Sequence, residues 1–349
     1  MRRVCFGKAR RDCFGHVELS NGQNKSGELA PRIDAVVIGR NEGARLIECI
    51  KSLSGLVRTI VYVDSGSSDG SVENAENLGA KSVALDMSKP FTAARARNAG
   101  AEILGQDPPD YIQFVDGDCV VDAGWIPAAS TFLKENPKVA VVCGRRRERF
   151  PERSVFNRLC DHEWDTPVGA TKSCGGDAMM RFDAMTGIGG YDAGLIAGEE
   201  PELCVRLRQA GWAIWRLDAE MSLHDAAISR LSQWAKRTVR SGHAFAEGSA
   251  MHGAPPERHW VRETARAIIW GAVLPVVILV LMSWDLRWAA LFLIYPIQVL
   301  RLSLRAGLTR AGLEIAVFSV LGKPVEAVGV LSYWLARLRR RRRQLIEYK

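Results

Sequence analysis

Short apolar runs alternate with helical stretches through the first half of the chain, and the main runs each end in a polar loop. Ile33–Ile38 (IDAVVI) stops at Gly39, and Glu42–Leu53 follows with Leu46, Ile47, Ile50 and Leu53 on one helical side. Thr59–Val63 is β-branched and aromatic and runs into Asp64-Ser-Gly-Ser-Ser-Asp-Gly70. A helix over 71–78, a strand near 81–85, an alanine-rich helix over Thr92–Leu104 and a strand at Tyr111–Val115 complete the series. A strand–helix repeat of about 25 residues predicts a parallel α/β sheet. Ligands of such sheets bind at the carboxyl ends of the strands. The loops carrying Asn41 and Glu42, Asp64 and Asp69, and Asp116 and Asp118 are therefore expected to converge on one cleft.

The second half changes character. A strand at 139–143 leads into Arg145-Arg-Arg147, and 173–192 is glycine-rich. Gly198–Arg208 reads as a helix start, with Pro201 and acidic residues suited to the first turn. A strand at Trp212–Leu217 precedes His224-Asp225. Ser229–Ala246 mixes Trp234 and Phe245 with Lys236, Arg237 and Arg240, a pattern that suits either a membrane surface or a helix packed on the domain.

Ala267–Trp284 has no charged residue over eighteen positions and would span about 27 Å as a helix, close to the ~30 Å hydrocarbon core. Trp288–Leu300 is short, but with a turn at Asp285-Leu-Arg287 it could complete a hairpin. Leu313–Leu335 carries Glu314, Lys323-Pro324 and Glu326, which predicts a re-entrant or interfacial segment. Arg337 and Arg339–Arg343 form a polybasic tail. With two crossings, Arg262 and Arg266, Arg301, Arg305 and Arg310, and the tail all fall on one side, the cytoplasmic side by the positive-inside rule. The expected location is the inner (plasma) membrane, with the α/β body cytoplasmic.

Charge supports this division. The net charge of +8 is made of +3 in residues 1–30, +8 in 301–349 and −3 in the body between them. A nucleic-acid binder needs a basic face on its domain, and this body lacks one. The eight cysteines form no C-x-x-C pair, so a zinc framework has little support and reduced thiols are expected. The resulting organisation is a flexible basic tail at 1–30, an α/β domain at 31–228, an amphipathic linker at 229–262, and membrane-associated helices with the polybasic tail at 263–349.

Asp116-Gly-Asp118 places two carboxylates at the end of an apolar strand, where oxygen ligands can hold Mg²⁺ or Mn²⁺ against a diphosphate. A solvated turn would look the same, so the pair needs its context. Val36-Val-Ile-Gly-Arg-Asn-Glu42, Val63–Ser71, Ala96-Arg-Asn-Ala-Gly100, Phe114-Val-Asp-Gly-Asp118 and Gly189-Gly-Tyr-Asp with Gly198-Glu-Glu200 together resemble the family 2 glycosyltransferases over about 31–225.

The resemblance implies a GT-A fold, a mainly parallel sheet flanked by helices, and a nucleotide-sugar donor of the UDP or GDP class. It places Arg40, Glu42, Asp64, Ser65, Arg97 and Asp116 around the nucleotide sugar. It makes Asp118 the surer metal ligand, with Asp116 and His224 beside it and Mn²⁺ or Mg²⁺ as the cation. Glu200 becomes the general base of an inverting transfer, and Gly175, Gly176, Asp177 and Glu199 the acceptor side. Gln233-Trp-Ala-Lys-Arg237 does not match the Q-x-x-R-W motif of processive members, so one sugar per encounter is expected. The implied acceptor is lipid-linked or a glycan at the membrane surface, in cell-surface polysaccharide or glycolipid synthesis. A nucleotidyltransferase on a related fold and a non-catalytic, membrane-anchored binding protein remain as alternatives.

Overall fold

The computed structural model describes residues 30–339. The basic N-terminal tail expected at 1–30 and the arginines from 340 onward lie outside the described residues, apart from Ala30 itself.

The strands are β1 Ile33–Gly39, β2 Thr59–Asp64, β3 Lys81–Ala84, β4 Tyr111–Asp116, β5 Cys119–Val121, β6 Val139–Glu148, β7 Gly169–Ala170, β8 Ala178–Arg181 and β9 Ala213–His224. The helices that cover them are α1 Ala44–Leu53, α2 Ser71–Asn77, α3 Ala93–Leu104, α4 Trp125–Glu135, α5 Val155–Glu163, α6 Phe182–Gly187 and α7 Glu199–Gln209. The sheet order is β3-β2-β1-β4-β8-β6-β9-β5, with β7 paired on β9. Strands β3, β2, β1 and β4 are parallel, as are β6 and β9. The short strand β8 runs antiparallel between β4 and β6 and joins the two parallel sets.

Helices on both faces explain why β1 is buried from Asp34 to Ile38 and reads as a continuous apolar run. On α1, Leu46, Cys49, Ile50 and Leu53 recur at helical spacing and are all buried. Asp34 is fully buried in β1 and paired with Arg58 at 2.6 Å, which satisfies an otherwise costly charge. Helix α3 lies so close to the sheet that a Cβ on Gly100 would stand 2.5 Å from Val36 Cγ1.

Beyond the sheet, α8 Leu231–His252 leads to α9 Val261–Met282, α10 Ile294–Arg305 and α11 Arg310–Leu338. Helix α9, 22 residues or about 33 Å, and α11, 29 residues or about 43 Å, are long and apolar enough to cross a membrane. Val273, Val276, Val277, Leu279 and Val280 of α9 are exposed.

Within α9 the turn Ile269–Val273 is π-helical. There Leu274 N–H donates to Ile269, while Pro275, next in line, has no N–H for the Trp270 carbonyl. Tyr295 Oη donates to that carbonyl at 2.7 Å, so the segment from Leu286 to Arg305 returns along α9.

Leu313–Leu335, expected as a re-entrant or interfacial segment, lies within α11, which is one continuous helix through Pro324. Its charges are paired: Glu314 meets Arg158 of α5 at 2.8 Å, and Lys323 meets Glu326 at 2.7 Å. Glycines press its backbone onto its neighbours. A Cβ on Gly242 of α8 would stand 2.0 Å from the Glu326 carbonyl oxygen, and one on Gly329 would stand 2.0 Å from the Val239 carbonyl oxygen.

Candidate active site

A cleft of about 620 Å³ opens at the carboxyl ends of β1 and β4. Arg40, Asn41, Glu42, Arg97, Asp116, Asp118, Glu199 and His224 line it together with Arg240 of α8. This is the place the parallel topology dictates.

Arg97 organises the floor. Its side chain is almost fully buried on α3, with Nη2 2.8 Å from Asp116 Oδ1 and Nη1 2.8 Å from Glu199 Oε1. Burial opposes the guanidinium charge, but Asp116 and Glu199 outweigh it and hold the group more firmly protonated than usual. Burial likewise raises the Asp116 carboxyl, yet Arg97 and Arg146 pull it below its ordinary value.

Arg146 of β6 is the second organising cation, and the sequence pattern gave it no role. It pairs with Asp177 Oδ1 at 2.8 Å, approaches Asp116 Oδ2 at 3.6 Å and lies over the Trp164 ring. Its signal was an arginine directly continuing an apolar strand, where a charge must find a partner.

Asp118, in the turn just before β5, meets His224 at the end of the antiparallel strand β9, with Asp118 Oδ1 3.3 Å from His224 Nε2. Trp164 packs edge-on against the imidazole. Oxygen, sulfur and nitrogen atoms of Asp118, Cys119 and His224 lie within 4.8 Å of one another, so the trio can converge on a divalent cation. Asp116, expected as a co-ligand, stands outside this group because its carboxylate is engaged by the two arginines.

Three other expected site residues are buried in supporting positions. Asp64 does not line the cleft: it accepts from Tyr62 Oη and from the N–H groups of Gly66 and Ser67, all at 2.9 Å, and so shapes its own loop. Ser65 beside it is buried as well. Asp177 accepts from the Asp116 N–H at 3.0 Å and from Ser222 Oγ at 2.7 Å, which makes it a strut behind the cleft rather than a contact surface.

A second cavity of about 330 Å³ adjoins the first, sharing Glu199 and Arg240 with it. Gly176, Glu200, Arg237, Phe245 and Trp260 are on its walls. A Cβ on Gly176 would stand 2.9 Å from both Arg97 Nη2 and Asp116 Oδ2, so a side chain there would have to displace that ion pair. Gly175 takes the left-handed conformation at φ +80° and turns the chain.

Glu199 and Glu200 open α7, and their environments differ. Glu199 is held by Arg97. Glu200 is buried, and its Oε1 accepts from the Cys174 N–H at 2.5 Å and from the Cys174 and Cys204 thiols at 3.0 Å each. Burial outweighs these donors and raises the Glu200 carboxyl above its usual range.

Residues 34–183 match the family model described as glycosyl transferase family 2. The chain contains a family 2 glycosyltransferase domain. The chain is 28% identical over 189 positions to the succinoglycan biosynthesis protein ExoA of Rhizobium meliloti, covering 50% of this chain and 56% of that one. It is 28% identical over 262 positions to the pre-mycofactocin glycosyltransferase of Mycobacterium tuberculosis, covering 71% and 52%. The chain thus spans about half the length of these curated relatives. The fold is similar to that of a mannosyltransferase from Pyrobaculum calidifontis solved with GDP-Man and Mn²⁺, at TM-score 0.61 and 17% identity over 88% of each chain. The family 2 domain accordingly has the GT-A fold.

Proposed function

We propose that this protein transfers a sugar from a nucleotide-sugar donor to an acceptor hydroxyl in a single inverting displacement. The observation that carries the reading is the adjacency of two cavities, one walled by Asp118 and His224 and the other by Glu200.

Arg40, Glu42, Arg97 and Asp116 would surround the donor, with Arg97 fixing the position of Asp116 from below. Asp118 and His224 would hold the divalent cation, Mn²⁺ or Mg²⁺, which when bound offsets negative charge on a departing nucleoside diphosphate. Glu200 would take the proton from the acceptor hydroxyl, a task for which a carboxyl raised by burial is suited. Glu199, occupied by Arg97, keeps the two cavities in register. The different surroundings of the acidic pair separate their roles.

The relatives' names support sugar transfer but leave the donor open, so both UDP- and GDP-sugars are candidates. The exposed apolar faces of α9 and α11 support seating in a bilayer, with the cleft on the cytoplasmic side. An acceptor presented by the membrane, lipid-linked or a glycan, would enter the second cavity past Phe245 and Trp260 of the α8–α9 region.

The test is release of nucleoside diphosphate from a panel of nucleotide sugars with Mn²⁺ present. At least one donor is expected to turn over in the wild-type protein, and none in Asp118→Ala. Full release by Asp118→Ala would sink the reading.

A further inference from the structure

The two thiols around Glu200 form a set with a geometry of its own. Cys174 Sγ and Cys204 Sγ are 3.7 Å apart, and each lies 3.0 Å from Glu200 Oε1. All three residues are buried. Cys204 sits four residues after Glu200 on α7 and so shares its face. Cys174 arrives from the loop before β8.

Two sulfurs bound to one tetrahedral Zn²⁺ at about 2.3 Å lie about 3.8 Å from each other. The thiol pair already has that spacing. The carboxylate oxygen would need to recede by about half an ångström to complete the same tetrahedron. A disulfide, by contrast, would require the sulfurs to close to about 2.05 Å and an oxidant to accept two electrons.

We propose that Cys174, Cys204 and Glu200 form a binding site for a thiophilic divalent cation of the Zn²⁺ class, other than the Asp118–His224 site. Binding forms two metal–sulfur bonds and one metal–oxygen bond, and the two thiol protons leave to solvent with no change of oxidation state. The second cavity, which Glu200 borders, provides access and room for a water as fourth ligand. The site stands on this geometry alone. Its consequence rests on the role proposed for Glu200: a carboxylate bound to the cation cannot accept the acceptor's proton, so Zn²⁺ inhibits transfer even when Mn²⁺ is saturating.

The experiment uses the full chain in detergent. Titration with Co²⁺ in saturating Mg²⁺, which holds the Asp118–His224 site, is expected to give thiolate-to-metal charge-transfer bands that saturate at one equivalent. The bands should vanish in Cys204→Ser and Cys174→Ser and persist in Cys119→Ser, whose thiol lies beside Asp118. Because a serine in this buried cluster can prevent folding, X-ray absorption on Zn²⁺-loaded wild-type protein provides a readout without substitution, with two sulfur neighbours expected at about 2.3 Å. One sulfur or none, or bands lost in folded Cys119→Ser, overturns the site. Two sulfurs with undiminished turnover leaves the site standing and overturns the role of Glu200 instead.

Discussion

Arg97 Nη1 lies 2.8 Å from Glu199 Oε1, joining α3 to the first residue of α7. The same guanidinium reaches Asp116 at 2.8 Å, so one buried cation ties the end of β4 to the acidic pair. The two cavities share Glu199 at this junction.

Arg97→Ala should therefore damage fold and activity together. It takes Arg97 away from Glu199 and leaves Asp116 with only the more distant Arg146, a loss of about 3–5 kcal/mol. Arg97→Lys should recover only part, because an ammonium cannot bridge both carboxylates with a planar fork. Chemical denaturation of the three proteins measures the order; equal stability of wild type and Arg97→Ala contradicts it.

Glu200→Gln should lower kcat by about 10²–10⁴-fold while leaving donor affinity unchanged. The Glu200 carboxyl is raised by burial, so its ionised form is lost as pH falls through a value above the usual carboxylate range. The acid limb of kcat/KM should lie correspondingly high in the wild type and be absent from the residual rate of Glu200→Gln. An acid limb unchanged by the substitution would assign proton transfer elsewhere.

Much of this arrangement was legible before the structure. The runs Ile33–Ile38, Thr59–Val63 and Tyr111–Val115 became β1, β2 and β4 because strands covered on both faces must be apolar along their whole length. Asp118 was singled out by the Asp116-Gly-Asp118 motif and Glu200 by the family resemblance, and each borders one of the two cavities. What escaped depends on contacts distant in sequence: β8, four residues long, reverses direction between β4 and β6, and Arg146 finds Asp177 31 residues away. Asp64, which ends β2, shows what spacing does not reveal: its carboxylate accepts from the N–H groups of its own loop.

The helix contact between α8 and α11 depends on the absence of two side chains. Gly329→Ala and Gly242→Ala each place a methyl 2.0 Å from a facing carbonyl oxygen and should cost about 1–3 kcal/mol. Gly322→Ala, whose new methyl would meet nothing nearer than Thr238 Cγ2 at 3.7 Å, should be neutral or stabilising by up to about 1 kcal/mol. Thermal unfolding in detergent separates them, and equal effects at all three positions would refute the packing argument.

Seating of α9 in a bilayer predicts that the protein resists high-salt washing and is extracted by detergent. Val276 and Val280 are exposed on α9, so an arginine at each position should cost about 2.5–3.5 kcal/mol per residue if that face meets lipid. Fractionation of the Val276→Arg, Val280→Arg double variant should show a shift toward the soluble fraction. An unchanged membrane fraction would mean that α9 does not hold the protein there.

The central claim, a cation site at Asp118 and His224 that engages a nucleoside diphosphate, is tested most directly by calorimetry of UDP and GDP binding with Mn²⁺ and with chelator. At least one of the two should bind about tenfold or more tightly with Mn²⁺ in the wild-type protein, and Asp118→Asn should abolish that gain while remaining folded. Equal affinity with and without the cation in the wild type, or the full Mn²⁺ effect retained in Asp118→Asn, would contradict the account.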